Sequence, residues 1–203
     1  MTDVGALRVV FEDARRLGLL GPDPVERHIE HAAAWASMMD PADFLDLGSG
    51  AGVPGLVFAI LWPEVRATLL DGQLKRTAWL RTAVARLGIA DRVTVAEGRA
   101  EDLGHDPQLR ESLPLVLARA FAAPAPTAEC ASGFLAVGGA LTVSEPPAES
   151  PNRWSVSGLE RVGLRIDRES VHERGSFVIL VKGSTLSEEF PRRPNLPVRS
   201  PLW

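Results

Sequence analysis

The run Asp46-Leu47-Gly48-Ser49-Gly50-Ala51-Gly52 is the densest chemical signal in the chain. Glycines let a ligand approach the backbone closely. A dinucleotide loop would read Gly-x-Gly-x-x-Gly, but the sixth position counted from Gly48 is Val53. The spacing is Gly-x-Gly-x-Gly, with an acid two positions ahead of it. That suits S-adenosyl-L-methionine, which carries a cationic sulfonium, an amino acid head, a ribose and an adenine, and no pyrophosphate. Carboxylates match such a donor better than a phosphate cradle does. Asp71, 23 positions after Gly48, is placed to accept from ribose hydroxyls, and it can also cap the helix that follows. Glu97 or Glu101 can meet the adenine edge. Asp46, Gly48, Gly50, Gly52, Asp71 and Glu101 are therefore candidate donor contacts.

These residues need a scaffold, and the pattern supplies one. Residues 44–47, 66–70, 93–97, 114–118 and 140–144 read as short buried strands. Between them lie helical stretches at 54–61, 73–87 and 126–135. Strand and helix alternate, so an α/β, doubly wound, mostly parallel sheet is expected, with its ligand crevice where the first strand meets the first crossover helix. Residues 163–166 and 176–181 predict a late antiparallel hairpin on the sheet edge. Two helices open the chain. The second has Asp23 as a capping residue, Pro24 in the first turn and Glu26 to complete a capping box. Residues 145–151 read as a loop. Residues 190–203, with four prolines and three arginines, predict an extended tail that forms no helix. The expected organisation is a helical cap over 1–40, a Rossmann-like domain over 41–189 and the tail over 190–203.

At 203 residues, 45% hydrophobic and 24% charged, the chain has the composition of one globular domain. The longest apolar run near its middle, Leu56 to Trp62, is too short for a bilayer, so no membrane contact is expected. The single cysteine, Cys130, excludes an internal disulfide. The first residues show no secretory pattern, so a cytoplasmic location is expected. Net charge is −4, and lysine occurs only at Lys75 and Lys182. Contact with nucleic acid must then use a local patch of arginines. Arg192, Arg193 and Arg199 form the one basic cluster. The four histidines lack metal-ligand spacing, so no metal site is expected.

A longer match goes beyond the loop. The run from Phe44 to Leu56 resembles the RsmG (GidB) family, which methylates N7 of a guanine in small-subunit 16S ribosomal RNA. Further pieces resemble it in order: Arg27-His28-Ile29, then Leu69-Leu70-Asp71 with Lys75-Arg76 and Trp79-Leu80. Gly98-Arg99-Ala100-Glu101, Ala118-Arg119-Ala120-Phe121 and Phe190-Pro191-Arg192-Arg193 follow. The resemblance implies the class I S-adenosylmethionine-dependent methyltransferase fold. It also implies donor contacts at Gly48, Val53, Ala100, Glu101 and Arg119, and ribosomal RNA or the small subunit as partner. The family's Asn-Leu-Thr segment before the His helix is not evident and that end is shortened, and two positions within the matched segments depart from the family pattern. Ser144-Glu145 stands where the family carries Lys-Gly, and His31 stands where His-x-x-Asp would place an aspartate.

Arg119 is the candidate catalytic residue, able to hold a phosphate or the donor's carboxylate, or to form a structural ion pair with Glu97 or Glu145. His28, Arg192 and Arg193 are candidate substrate contacts, and Trp154 either stacks on a base or anchors its loop. Guanine N7 has a free lone pair and no proton, so its methylation needs no general base. A monomer is expected. The other readings are a methyltransferase of the same fold with a small-molecule acceptor, and a module that binds the donor without turnover.

Overall fold

The computed structural model of the chain describes residues 4–146 and 153–203. Seven strands form one sheet: β1 (Phe44–Leu47), β2 (Ala67–Asp71), β3 (Val93–Glu97), β4 (Leu113–Arg119), β5 (Leu135–Glu145), β6 (Leu164–His172) and β7 (Gly175–Lys182). Their order is β3-β2-β1-β4-β5-β7-β6. Strands β1 to β5 are parallel, and β7 lies antiparallel between β5 and β6. The order reverses between β1 and β4, and that is where ligands of such sheets bind.

Successive side chains of a strand point to opposite faces, and here this builds two cores. Phe44, Leu69, Val93 and Leu117 join a core with the helices α1 (Val4–Arg16), α2 (Val25–Ala36), α3 (Gly55–Leu61) and α4 (Leu74–Arg86). Leu45, Leu47, Leu70 and Val116 join the opposite core. There they meet α5 (Ala100–Leu103), α6 (Pro124–Ser132) and α7 (Val156–Glu160). The same alternation decides the site. Asp46, Asp71, Arg119 and Ser144 project to the α1–α4 face, and Glu145 to the other. The first two helices share the first core: Leu7, Phe11, Ala32 and Trp35 are all fully buried in it.

Several expectations need correction. The tail is not extended throughout: α8 (Leu196–Arg199) makes one helical turn. Its Pro197 sits in that first turn, where a missing N–H costs nothing. The tail is also fastened down. Phe190 is buried in the second core, the Arg110 guanidinium donates to the Phe190 carbonyl at 2.8 Å, and His105 Nε2 meets the Pro191 carbonyl at 2.7 Å. The helix expected over 126–135 ends at Ser132, and β5 begins at Leu135. Asp23 does not cap α2: the N-cap is Pro24, with no side-chain bond. Part of the expected 145–151 loop lies outside the described residues. Among those described, no helix is long and apolar enough to cross a membrane, and no group of His, Cys, Asp or Glu is arranged to hold a metal ion.

Candidate active site

The glycine loop leaves β1 at the switch point and is held from below. Asp46 Oδ2 accepts the Ser49 hydroxyl at 2.6 Å and the Gly55 N–H at 3.0 Å. Burial pushes its carboxyl up to about 6, although Ser49, Gly55 and the Arg119 cation pull the other way. Expected among the donor contacts, Asp46 is instead the brace between the loop and the start of α3. From α4, Trp79 Nε1 donates to the Ala51 carbonyl at 3.1 Å. Gly52 is required by packing: a Cβ there would lie 2.4 Å from Leu56. Val53 likewise belongs to the apolar core. Gly48 lines the crevice beside β2, and the space at Gly50 is open. A Cβ on Gly50 would meet only the Gly48 carbonyl, at 3.8 Å, and both residues hold positive φ, at 57° and 73° for Gly50 and Gly48 respectively.

Asp71 closes β2 beside that loop. Its Oδ2 accepts the Gly50 N–H and its Oδ1 the Gln73 N–H, both at 2.9 Å. An ionised carboxylate offers about four lone-pair sites, so two remain for ribose hydroxyls. Ala100 and Glu101, at the start of α5, line the same crevice with Gly48, Asp71 and Phe121. Glu101 Oε1 accepts from Arg99 at 2.8 Å and from the Asn195 N–H at 2.9 Å. Burial pushes its carboxyl up, but these two bonds, its own backbone N–H and the Arg99 charge together hold it below the usual carboxylate range. Glu97 is turned away instead, to the Thr77 hydroxyl at 2.5 Å and Arg81 at 3.1 Å. The crevice thus presents acids and an open glycine loop. These residues fit a donor with a sugar and a positive sulfur.

The next strand, β4, ends in Arg119. Its guanidinium donates to His28 Nδ1 at 2.9 Å. Arginine only donates, so His28 carries its proton on Nε2. That Nε2 is buried and is the one buried side-chain polar atom without a partner among the described residues. Burial first, and then the Arg119 charge, hold His28 below its ordinary pKa and neutral. Burial lowers Arg119 too, against the pull of Asp46. Neither expected ion pair forms, since Glu97 faces α4 and Glu145 faces Arg153. Arg119 lines a second pocket, of about 430 Å³, with Phe121, Ser144, Glu145 and Trp154. That volume is ordinary for a small-ligand site. The two spaces share Ala120 and Phe121. Sequence reasoning gave Phe121 no role. Its ring presses on Gly48, where a Cβ would lie 2.6 Å away, and the positive φ of Ala120, 52°, turns the chain to bring it there.

The two departures from the family pattern touch each other: His31 Nε2 lies 2.9 Å from Ser144 Oγ, and His31 Nδ1 lies 2.6 Å from the Arg174 carbonyl. Arg192 is not free for substrate. It grips the buried Glu129 at 2.7 and 2.9 Å and donates to the Ser200 carbonyl. Arg193 is exposed, in the segment leading to Asn195. Lys75 reaches the Leu17 carbonyl at 3.3 Å, and Arg76 stands 3.6 Å from Asp71.

The family model described as rRNA small subunit methyltransferase G (GidB) matches residues 21–144. A ribosomal RNA small subunit methyltransferase G of Pelotomaculum thermopropionicum is 34% identical, covering 80% of this chain and 71% of that one. Its counterpart from Symbiobacterium thermophilum is 32% identical, covering 97% and 87%. Among solved structures, an O-methyltransferase from Bacillus cereus in complex with SAH aligns at a TM-score of 0.61. It has 16% identity and covers 88% of this chain and 91% of that one. The fold is the class I methyltransferase fold, and S-adenosylmethionine is the methyl donor. This chain belongs to the GidB family, the rRNA small subunit methyltransferases G.

Proposed function

We propose that the chain transfers a methyl group from S-adenosylmethionine to N7 of a guanine in small-subunit ribosomal RNA. The observation that carries this reading is the junction of the donor crevice with a second pocket beside which neither histidine is free to act as a base and whose one carboxylate, Glu145, is already paired with Arg153. His28 cannot take a proton there, because its Nδ1 is committed to Arg119 and its Nε2 already bears one. His31 has both ring nitrogens engaged. An acceptor oxygen would have to lose a proton and would need such a base. Guanine N7 does not. Bound S-adenosylmethionine supplies an electrophilic methyl carbon. The chain's part is alignment. Gly48 and Gly50 leave room for the donor, Asp71 and Glu101 hold its sugar and base, and Phe121 stands where the two spaces meet. Arg119 presents a fixed cation to the acceptor, and Arg193 is an exposed cation for the RNA backbone.

The test is transfer of label from the donor to intact small subunits, to naked ribosomal RNA and to free guanine nucleotides, followed by chain cleavage at 7-methylguanine. Label in one guanine of the particle, cleaved at that position, is expected. Label confined to the free nucleotide would move the acceptor to a small molecule. Donor binding without label in any sample would leave a binding module.

A further inference from the structure

We infer that Glu145 reads the Watson–Crick edge of the base being methylated, accepting from guanine N1–H and N2–H while N7 faces the donor. This rests on the function proposed above and names the residue that selects its base. Three strands run from donor to reader: Gly48 follows β1, Arg119 ends β4, and Glu145 ends β5 beside it, with Arg119 registered on Ser144. Neighbouring strands lie about 4.8 Å apart, so the loop and Glu145 stand about two strand spacings from each other. A purine fills such a gap, because N7 and the N1/N2 edge lie on opposite sides of the ring system. Two aromatic residues, Phe121 and Trp154, line the same pocket, and aromatic faces receive a base taken out of its stack.

The carboxylate is fixed in advance. Arg153 holds one oxygen, Oε2, and Trp154 Nε1 donates to the other, Oε1, at 3.2 Å. Each oxygen keeps a lone pair, giving a fork of two acceptors that matches the two parallel donors of guanine. Adenine has no hydrogen on N1, so it cannot engage the fork. Trp203 supports the arrangement as a positioning residue. Its Nε1 donates to the Arg153 carbonyl at 3.1 Å, and its ring lies so close to Gly158 that a Cβ there would sit 2.0 Å away. The glutamate that departs from the family's Lys-Gly is thus held as a base reader by its own neighbours.

The experiment uses the full chain and small subunits reassembled with inosine in place of the guanine that it methylates. Inosine keeps N7, O6 and N1–H and lacks only the N2 amine. The native chain is expected to lose about tenfold or more in kcat/KM on the inosine particle, as for a lost hydrogen bond to a charged group. Glu145→Gln is expected to bring guanine down towards the inosine rate, so that the ratio approaches one while donor affinity is unchanged. A native chain indifferent to inosine overturns the inference without any protein variant. A Glu145→Gln chain that keeps the full ratio overturns it as well. Donor bound but no guanine labelled by the native chain would instead overturn the proposed function, and this inference with it.

Discussion

The donor half and the acceptor half of the site are built from different bonds. Around the donor crevice each acid takes at least one main-chain N–H: Gly50 and Gln73 N–H to Asp71, Gly55 N–H to Asp46, Asn195 N–H to Glu101, with the Ser49 and Arg99 side chains adding bonds to Asp46 and Glu101. Around the acceptor pocket the contacts run mainly between side chains: Arg119 to His28, His31 to Ser144, Arg153 and Trp154 to Glu145, with the Arg174 carbonyl on His31 the main-chain exception. Main-chain contacts demand a backbone shape, and so they demand glycines and acids at set places. Side-chain pairs can be exchanged together. Both departures from the family pattern fall in the acceptor half, and they fall on partners.

Arg119 is the sharpest test of that division, because it lines the acceptor pocket and not the donor crevice, although its strand lies between the two. Arg119→Lys keeps a charge but loses the planar fork that reaches His28 and the acceptor together. Transfer is expected to fall about 100-fold, the cost of removing one oriented donor from a site. Affinity for S-adenosylhomocysteine, measured by calorimetry, is expected to change by less than about threefold, equivalent to about 0.7 kcal/mol. A parallel loss of donor affinity would place Arg119 on the donor's carboxylate and break the division.

Asp46 probes the other half. Its carboxyl is raised from 3.8 to about 6 by burial under the loop. A raised acid favours folding while protonated, so its contribution is fully present below about pH 3.8 and is lost as pH rises through about 6. The shift corresponds to about 3 kcal/mol at most. Asp46→Asn can still accept from Ser49 and Gly55 through its amide oxygen, and it does not titrate. Denaturant unfolding between pH 4 and 7 is expected to show native stability falling relative to the variant as pH rises. Parallel curves would mean that the loop is not held by a buried, titrating brace.

The legibility of the sequence follows the same line. The five parallel strands, the late hairpin and the glycine loop could be read because period-two burial and glycine spacing are local properties of the chain. Asp71 was legible for the same reason, being a strand-end acid. Asp46 was assigned to the ligand because it adjoins the loop, and Val53 because the family resemblance implied it, but strand alternation directs Asp46 beneath the loop and packing takes Val53. Arg192 sat in a cluster of arginines. Nothing local revealed that Glu129, 63 residues earlier, is buried and paired with it. The turn α8 was hidden by its prolines, which one turn tolerates. Phe121 carries no motif, and only the left-handed Ala120 beside it brings it to Gly48.

The exchange of partners in the acceptor half makes the smallest effect and the most specific one. His31 and Ser144 come from α2 and β5, 113 residues apart, and meet at 2.9 Å. The same helix sends Trp35 Nε1 to Thr142 Oγ1 at 2.8 Å, so α2 rests on β5 through two polar contacts at alternate residues of the strand. Each is a neutral hydrogen bond, with a net contribution of about 1 kcal/mol. His31→Ala and Ser144→Ala, singly and together, are expected to give a coupling of about 1 kcal/mol in a double-mutant cycle of unfolding free energy. Donor affinity in all three variants is expected to match the native chain. Coupling near zero would mean that the two departures are neighbours without being partners, and loss of donor binding would show that the acceptor half is not separable from the loop across β4.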